Sequence, residues 1–146
     1  MIPPPKPGTI IRYAYQWFAD GEAGIEGAER PHPAVVLALA VRAQDGRADV
    51  LVLAITHAPP YSDDDALEIP AAVKAAAGLD ADRQWVVIAE SNVFAWPGPD
   101  LRVIPGRNPR TFVYGEMPPS FLRAIARAFR AKNRGGSTSA KEVQRP

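Results

Sequence analysis

The chain has 146 residues, of which 47% are hydrophobic and 23% charged, and its formal net charge at pH 7 is +1. This composition is that of one folded domain and excludes wholesale disorder, a collagen-like repeat and a coiled coil. Sixteen Pro and 11 Gly residues interrupt the chain too often for an all-helical bundle, and they favour short strands joined by turns.

Cysteine is absent from the sequence, which excludes disulfides, zinc ribbons and thiol nucleophiles. The first residues lack the apolar stretch of a signal peptide. No apolar run approaches the length of about 20 residues that a membrane-spanning helix needs. We therefore expect a cytoplasmic protein without a membrane partner.

The first half of the chain predicts three strands. Residues 8–18 are rich in β-branched and aromatic side chains, which predicts the first strand. A loop with four acidic residues is expected over 20–32. Two almost continuously apolar runs, 34–41 and 50–56, flank an Asp-Gly pair. They predict a hairpin of central strands that are covered on both faces.

The second half of the chain predicts shorter strands, because Pro, Gly and charged residues interrupt its apolar runs. These strands are expected over residues 66–69, 84–90, 101–104 and 111–114. Residues 92–96 either continue the second of them or turn away from it.

Two helices are predicted as well. The first is an Ala-rich helix over residues 71–77 that Gly78 ends in the left-handed conformation. The second is an amphipathic helix over 118–132, and residues 133–146 predict a disordered tail. The predicted fold class is mainly β within α+β: a small antiparallel barrel or strongly curled sheet with helical caps, as one domain over residues 1–132.

Positive charge is concentrated toward the C-terminus. Residues 99–134 contain eight Arg or Lys and two acidic residues, an excess of six positive charges. Four of the arginines, Arg123, Arg127, Arg130 and Arg134, have helical spacing. They form either a solvated face or a binding surface of the predicted helix.

The two histidines of the chain both flank predicted strands. His32 directly precedes the second predicted strand, and His57 directly follows the third. If these strands form a hairpin, the two histidines lie at the same end of the sheet. Glu29, Arg30 and Thr56 belong to the same rim. Metal-independent phosphodiester cleavage uses such groups, because His transfers protons near neutral pH and Arg stabilises phosphoryl charge. A strand-edge histidine is also common as a structural residue.

Signatures of bound cofactors are missing from the sequence. It has no Gly-rich phosphate loop, no dinucleotide fingerprint and no metal-binding His pair at helical spacing. We therefore expect neither a cofactor nor a metal ion.

A series of short motifs occurs in a fixed order along the chain. They are Pro7-Gly8-Thr9-Ile10-Ile11, an acidic Gly-containing loop, His32-Pro33-Ala34-Val35-Val36-Leu37, Leu53-Ala54-Ile55-Thr56, Gly78-Leu79-Asp80, residues 85–92 and Tyr114-Gly115-Glu116-Met117-Pro118. In their order and spacing these motifs resemble the MazF/PemK family of toxins. The resemblance covers residues 6–132.

The resemblance implies an SH3-like barrel that forms a homodimer. It also implies a metal-independent endoribonuclease for single-stranded RNA in a toxin–antitoxin system. A cognate antitoxin then inhibits the enzyme by filling the RNA groove with a peptide.

The family's site residues correspond to positions of this chain as follows. Its Thr at the end of the third strand matches Thr56. Its Arg-Pro pair aligns with His32 and the following proline, whereas the literal Arg-Pro pair of this chain, at Arg30, lies two residues earlier. Either Arg30 reaches the phosphate or His32 replaces the arginine; otherwise the chain is an inactive relative. The family's loop acid corresponds to Glu26 or Glu29.

RNA binding requires cations along a groove and aromatic rings for unstacked bases. The candidate cations are Arg12, Arg102, Arg107 and Arg110, and the candidate stacking residues are Tyr61, Trp96 and Phe94. Phe94 and Trp96 are also readable as core residues. The acidic run at residues 63–65 is either a solvated loop tip or a contact for a basic antitoxin segment.

The expected function is a sequence-specific endoribonuclease that inhibits growth by cleaving mRNA. Arg30 is expected to stabilise the phosphorane and Thr56 to donate to a phosphate oxygen, while His32 or His57 transfers protons. The alternative is a catalytically inactive barrel of the same type that binds a protein or peptide. A topoisomerase poison of the same superfamily ranks last, because the chain lacks the C-terminal Trp-Gly-Ile ending that this resemblance requires.

Overall fold

The computed structural model describes residues 2–18, 30–133 and 141–145. Within these ranges the chain forms eight strands and two helices. They are β1 (Thr9–Tyr15), β2 (Arg30–Val41), β3 (Ala48–Thr56), β4 (Ala66–Glu68), α1 (Ala71–Ala77), β5 (Trp85–Val87), β6 (Glu90–Ala95), β7 (Val113–Glu116), α2 (Pro119–Asn133) and β8 (Lys141–Gln144). This is an α+β fold dominated by antiparallel sheet, as predicted. Neither helix is long and apolar enough to cross a bilayer.

One sheet contains all eight described strands. Its main path has the order β4-β5-β3-β2-β1-β7, and β6 pairs with β3 and with β8. The pairings are antiparallel except for that of β6 with β8, which is parallel. Among the described strands these pairings do not close into a ring. The sheet is therefore open, and a closed barrel is not shown.

The β2–β3 hairpin confirms the prediction from the Asp-Gly pair. Gly46 adopts a φ of 70° in the connecting turn, a conformation that glycine adopts without strain. β2 nevertheless begins at Arg30, four residues earlier than the apolar run, because residues 30–35 pair with β1. Pro31 and Pro33 lie within this extension. Because proline usually indicates the end of a strand, the sequence did not predict that β2 begins before them.

The sheet covers one apolar cluster on each face, because successive side chains of a strand point to opposite sides. The cluster on the first face, here called the aromatic face, consists of Ile11, Tyr13, Tyr15, Ala34, Val36, Ala48, Val50, Val52, Ala54, Phe94 and Trp96. The cluster on the helix face consists of Ile10, Val35, Leu53, Ile55, Ile69, Ala77, Val86, Ile88, Met117 and Ile125. Both helices contribute to the second cluster. The aromatic cluster is buried as well, and non-helical residues pack against it: Trp17, Leu39, Leu101, Phe112 and Val113.

The end of α1 lies against β7 at two glycines. Gly78 ends the helix with a φ of 77°, as predicted, and a Cβ at this position would lie 2.5 Å from the carbonyl oxygen of Tyr114. A Cβ at Gly115 would overlap the carbonyl of Ala77. The close approach of helix and strand therefore requires glycine on both sides.

Two segments differ from the prediction. Residues 101–104 do not form a strand, and Leu101 makes an isolated bridge with Tyr13 instead. The segment predicted as a disordered tail contains β8, which pairs with β6. Val143 is the one apolar residue of β8. The hydropathy of the sequence therefore could not indicate this strand. Residues 134–140 of the same tail lie outside the described residues.

Candidate functional site

The start of β2 and the end of β3 lie at the same end of the sheet, as the hairpin predicted. The last recorded pair of these strands is Ala34 with Ala54, two residues from both His32 and Thr56. Both members of that pair belong to the aromatic face. Since side chains alternate along a strand, His32 and Thr56 lie on this face as well.

β1 completes this end of the sheet on the other side of β2. In the β1–β2 register Tyr13 pairs with His32, and Tyr15 pairs with Arg30. Both tyrosines are fully buried. The backbone position of Arg30 is therefore next to Tyr15 and two residues from His32.

Three rings form the aromatic corner, defined here as Tyr15, Trp17 and His32. The ring centroids of Trp17 and His32 are 5.6 Å apart in an edge-on arrangement. Those of Trp17 and Tyr15 are 4.9 Å apart. Trp17 and His32 are half-buried, so that each contacts the protein and still presents part of its ring to solvent. Trp17 was not predicted as a site residue, because it lies at the end of an already aromatic run.

Polar residues of β6 fix the point where β1 leaves the sheet. The backbone N–H of Gln16 donates to Asn92 Oδ1 at 2.9 Å, and Asn92 Nδ2 donates back to the Gln16 carbonyl at 2.9 Å. The N–H of Phe18 donates to Glu90 Oε1 at 3.0 Å. Asn92 is fully buried. This clamp was not predicted, although an asparagine inside an apolar strand is a signal for it, since buried polar groups need partners.

The two buried phenols of β1 favour their protonated form. Burial raises the pKa of Tyr13 and of Tyr15 well above the ordinary value of a phenol, and the nearby Glu90 carboxylate raises the pKa of Tyr15 further. Neither tyrosine therefore serves as a base near neutral pH. Of the described side chains in the aromatic corner, His32 is the one whose type exchanges protons in that range.

His57 and Thr56 have different surroundings although they are neighbours in sequence. Thr56 Oγ1 accepts a hydrogen bond from the N–H of Ala58 at 3.1 Å, and its backbone pairs with Trp85. The imidazole of His57 instead contacts Asp80, with 3.0 Å between Nε2 and Oδ2. The structure thus brings His32 and Thr56 to one end of the sheet and engages His57 with the loop before β5.

His57 also belongs to a small exposed cluster. Its potential ligand atoms and those of Asp80 and Asp82 lie within 4.8 Å of one another. Exposed groups of this kind are common without an ion, so that the cluster adds nothing to the candidate site.

The aromatic residues predicted to stack with RNA bases have different positions. Tyr61 is fully exposed in the loop after β3 and is available to a base. Trp96 is only 5% exposed and packs in the core of the aromatic face, where its Nε1 donates to the carbonyl of Ile2 at 3.1 Å. Phe94 is buried in the same core. Burial therefore contradicts stacking of RNA bases on Trp96 or Phe94 and favours the alternative that both are core residues.

The four arginines predicted to bind RNA do not form one group with the corner. Arg12 alternates with the tyrosines of β1, so it lies on the opposite face of that strand. Arg102 donates to two nearby backbone carbonyls. The guanidinium of Arg107 lies over the ring of Tyr114, 5.9 Å from its centroid, and Arg110 is exposed. The predicted loop acids Glu26 and Glu29 lie outside the described residues.

Comparisons with known proteins complete the description of the site. No protein-family model and no curated protein matches this sequence. The resemblance carried by the short motifs therefore stays a prediction, and the functional conclusion depends on the geometry given above.

Proposed function

We propose that the chain is a metal-independent endoribonuclease of the MazF/PemK type. In this proposal it acts as a homodimeric toxin on single-stranded RNA, and a cognate antitoxin inhibits it. The observation that supports the proposal is the common position of His32 and Thr56 at one end of the β2–β3 hairpin, on the aromatic face of the sheet. Arg30 begins the same strand.

In the proposed reaction the RNA supplies its own nucleophile. Neutral His32 accepts the proton of a ribose 2′-hydroxyl, and the 2′-oxygen attacks the adjacent phosphorus. The bond to the 5′-oxygen breaks, and this oxygen takes a proton from solvent. The products are a 2′,3′-cyclic phosphate and a 5′-hydroxyl end.

Two further residues stabilise the charge that develops on the phosphoryl group. The hydroxyl of Thr56 donates to a non-bridging oxygen, and the Arg30 cation opposes the extra negative charge of the phosphorane. Trp17 fixes the plane of the His32 ring by its edge-on contact. Tyr61, fully exposed in the loop that follows Thr56, provides a surface on which a neighbouring base stacks.

The proposal is tested with purified protein and a mixed-sequence single-stranded RNA in the presence of EDTA. We expect cleavage by the unmodified chain, loss of cleavage in Arg30→Ala and Thr56→Ala, and retention in Thr56→Ser, which keeps the hydroxyl. Thermal melting of each variant checks that the fold is intact. Intact RNA with the unmodified chain, or unchanged cleavage by both alanine variants, would refute the proposal.

A second candidate function, peptide binding without catalysis, is favoured by a separate observation. Residues 141–144 already lie on the sheet as an extended segment that pairs with β6 through its backbone. Such pairing is how several domains bind partner peptides.

A further inference from the structure

β8 attaches the end of the chain to an edge of the sheet beside the aromatic corner. Its register with β6 runs from Glu90 with Lys141 to Val93 with Gln144. The N–H of Arg145 continues the pairing by donating to the carbonyl of Val93 at 2.7 Å. Because the other edge of β6 pairs with β3, this segment occupies the edge that β6 would otherwise leave open.

The described side chains of β8, those of residues 142–144, contribute little to this attachment. Glu142 and Gln144 are exposed, and Val143 is half-buried. Backbone hydrogen bonds are therefore the main contacts of the strand, and such contacts do not depend on the identity of the side chains. Any extended segment of suitable shape is able to make them.

Arg145, directly after β8, provides the specific contact. Its Nη2 lies 2.9 Å from Asp100 Oδ2, and the two side chains are only 12% and 15% exposed. Its Nη1 lies 3.4 Å from Gln16 Oε1, and the backbone of Gln16 is held by the Asn92 clamp. Asp100, Gln16 and the adjoining edge of β6 together form what we call the arginine pocket.

The burial of this ion pair sets it apart from pairs on the surface. Arg83 and Glu68, for example, form a pair whose side chains are 71% and 44% exposed, and exposed pairs contribute little to stability. A nearly buried carboxylate is different, because leaving it without a cation is strongly unfavourable. The arginine pocket therefore selects for a cationic side chain, and its two acceptors suit a guanidinium.

We propose that the β6 edge and the arginine pocket form a docking site for an extended segment of a partner protein. The segment would add as a strand parallel to β6 and would place an arginine against Asp100. In this account residues 141–145 are the intramolecular occupant of the site. Asp100, Gln16 and Arg145 contribute no side chain to the proposed reaction, so that peptide binding at this site is measured without RNA.

The chain's own occupant must compete with the partner. β8 belongs to the same chain as the edge it occupies, so that it competes intramolecularly with any segment supplied in solution. A weak segment is therefore retained until a segment with better contacts displaces it. Removing the guanidinium of Arg145 should accordingly open the site to a peptide supplied in solution.

The experiment uses a fluorescently labelled peptide with the sequence of residues 141–146, titrated with full-length protein and followed by anisotropy. We expect the Arg145→Gln chain to bind this peptide at least about tenfold more tightly than the unmodified chain, whose own segment competes. A second full-length variant, Val143→Pro, weakens the intramolecular strand without altering the pocket and should also bind more tightly. Melting curves confirm that each variant is folded.

Two matched controls test the chemistry of the pocket. A peptide whose arginine is replaced by glutamine should not bind, and Asp100→Asn in the Arg145→Gln background should abolish binding of the original peptide. Equal binding of both peptides, insensitivity to Asp100→Asn, or no binding to either opened variant would overturn the docking site. None of these results bears on RNA cleavage, so that failure of this proposal is distinguishable from failure of the first.

Discussion

The imidazole of His32 meets the indole of Trp17 edge-on, with ring centroids 5.6 Å apart and an angle of 78° between the ring planes. This contact joins the start of β2 to the second residue after the end of β1. It restricts the rotation of the imidazole that, in the proposed reaction, presents one nitrogen to a ribose hydroxyl. The clamp of Gln16 by Asn92 in turn fixes the backbone next to Trp17.

Replacement of Trp17 tests whether this contact positions the imidazole. We expect Trp17→Ala to lower the single-turnover rate of RNA cleavage by about 10- to 100-fold, because small displacements of a catalytic group are costly. Trp17→Phe keeps an aromatic edge and should recover most of the rate. If both variants fold and cleave as fast as the unmodified chain, Trp17 has no positioning role.

The two histidines are expected to differ in their effect on cleavage. His32→Ala should lower the rate by about 100-fold or more, the usual contribution of a general base. His57→Ala should leave the rate within about twofold. The His57 ring contacts Asp80, and in the proposed reaction it is His32 that transfers the proton. Rates across pH 5–9 provide the measurement. An inactive His57→Ala variant beside an active His32→Ala variant would reverse the assignment.

Loss of the Asn92 side chain is expected to destabilise the fold. Asn92→Ala leaves the buried N–H and carbonyl of Gln16 without their partner, at a cost of about 1–3 kcal/mol for an unsatisfied group. Urea unfolding measures the change. Gln144→Ala, at an exposed position, is the control and should leave the unfolding midpoint unchanged; equal midpoints for the two variants would argue against the clamp.

Alkaline pH should destabilise the protein through the buried tyrosines. Their pKa values are raised in the folded chain, so that the unfolded chain releases these protons first as the pH rises above about 10. The stabilisation is therefore complete below that pH and is lost progressively above it. Tyr15→Phe removes one such group, and its urea midpoint should fall less between pH 9 and pH 11 than that of the unmodified chain. A parallel fall would contradict this account.

The sequence predicted the parts of the fold that depend on local patterns. The hairpin of β2 and β3 follows from two apolar runs around an Asp-Gly turn. Helix α1 follows from an alanine run that ends at Gly78, and α2 from an apolar stripe at helical spacing. In each case the residues that determine the element are neighbours in the chain. Periodicity and turn chemistry are therefore sufficient to locate it.

The parts of the fold that were not predicted depend on contacts between residues that are far apart in the sequence. Asn92 and Gln16 are 76 positions apart, and β8 joins an edge that its own residues do not indicate. Of the candidate site, the placement of His32 and Thr56 at one end of the sheet followed from the hairpin. The roles of Trp17 and Glu90 did not, because they depend on where β1 leaves the sheet beside β6.

The central claim is tested most directly by the chemistry of the RNA ends. Single-stranded RNA is incubated with the unmodified chain and with Thr56→Ala in EDTA, and the fragments are examined for 2′,3′-cyclic phosphate and 5′-hydroxyl ends. The account predicts defined cuts with these ends from the unmodified chain and intact RNA from the variant. Intact RNA in both reactions, or cuts that appear only when a divalent cation is supplied, would contradict it.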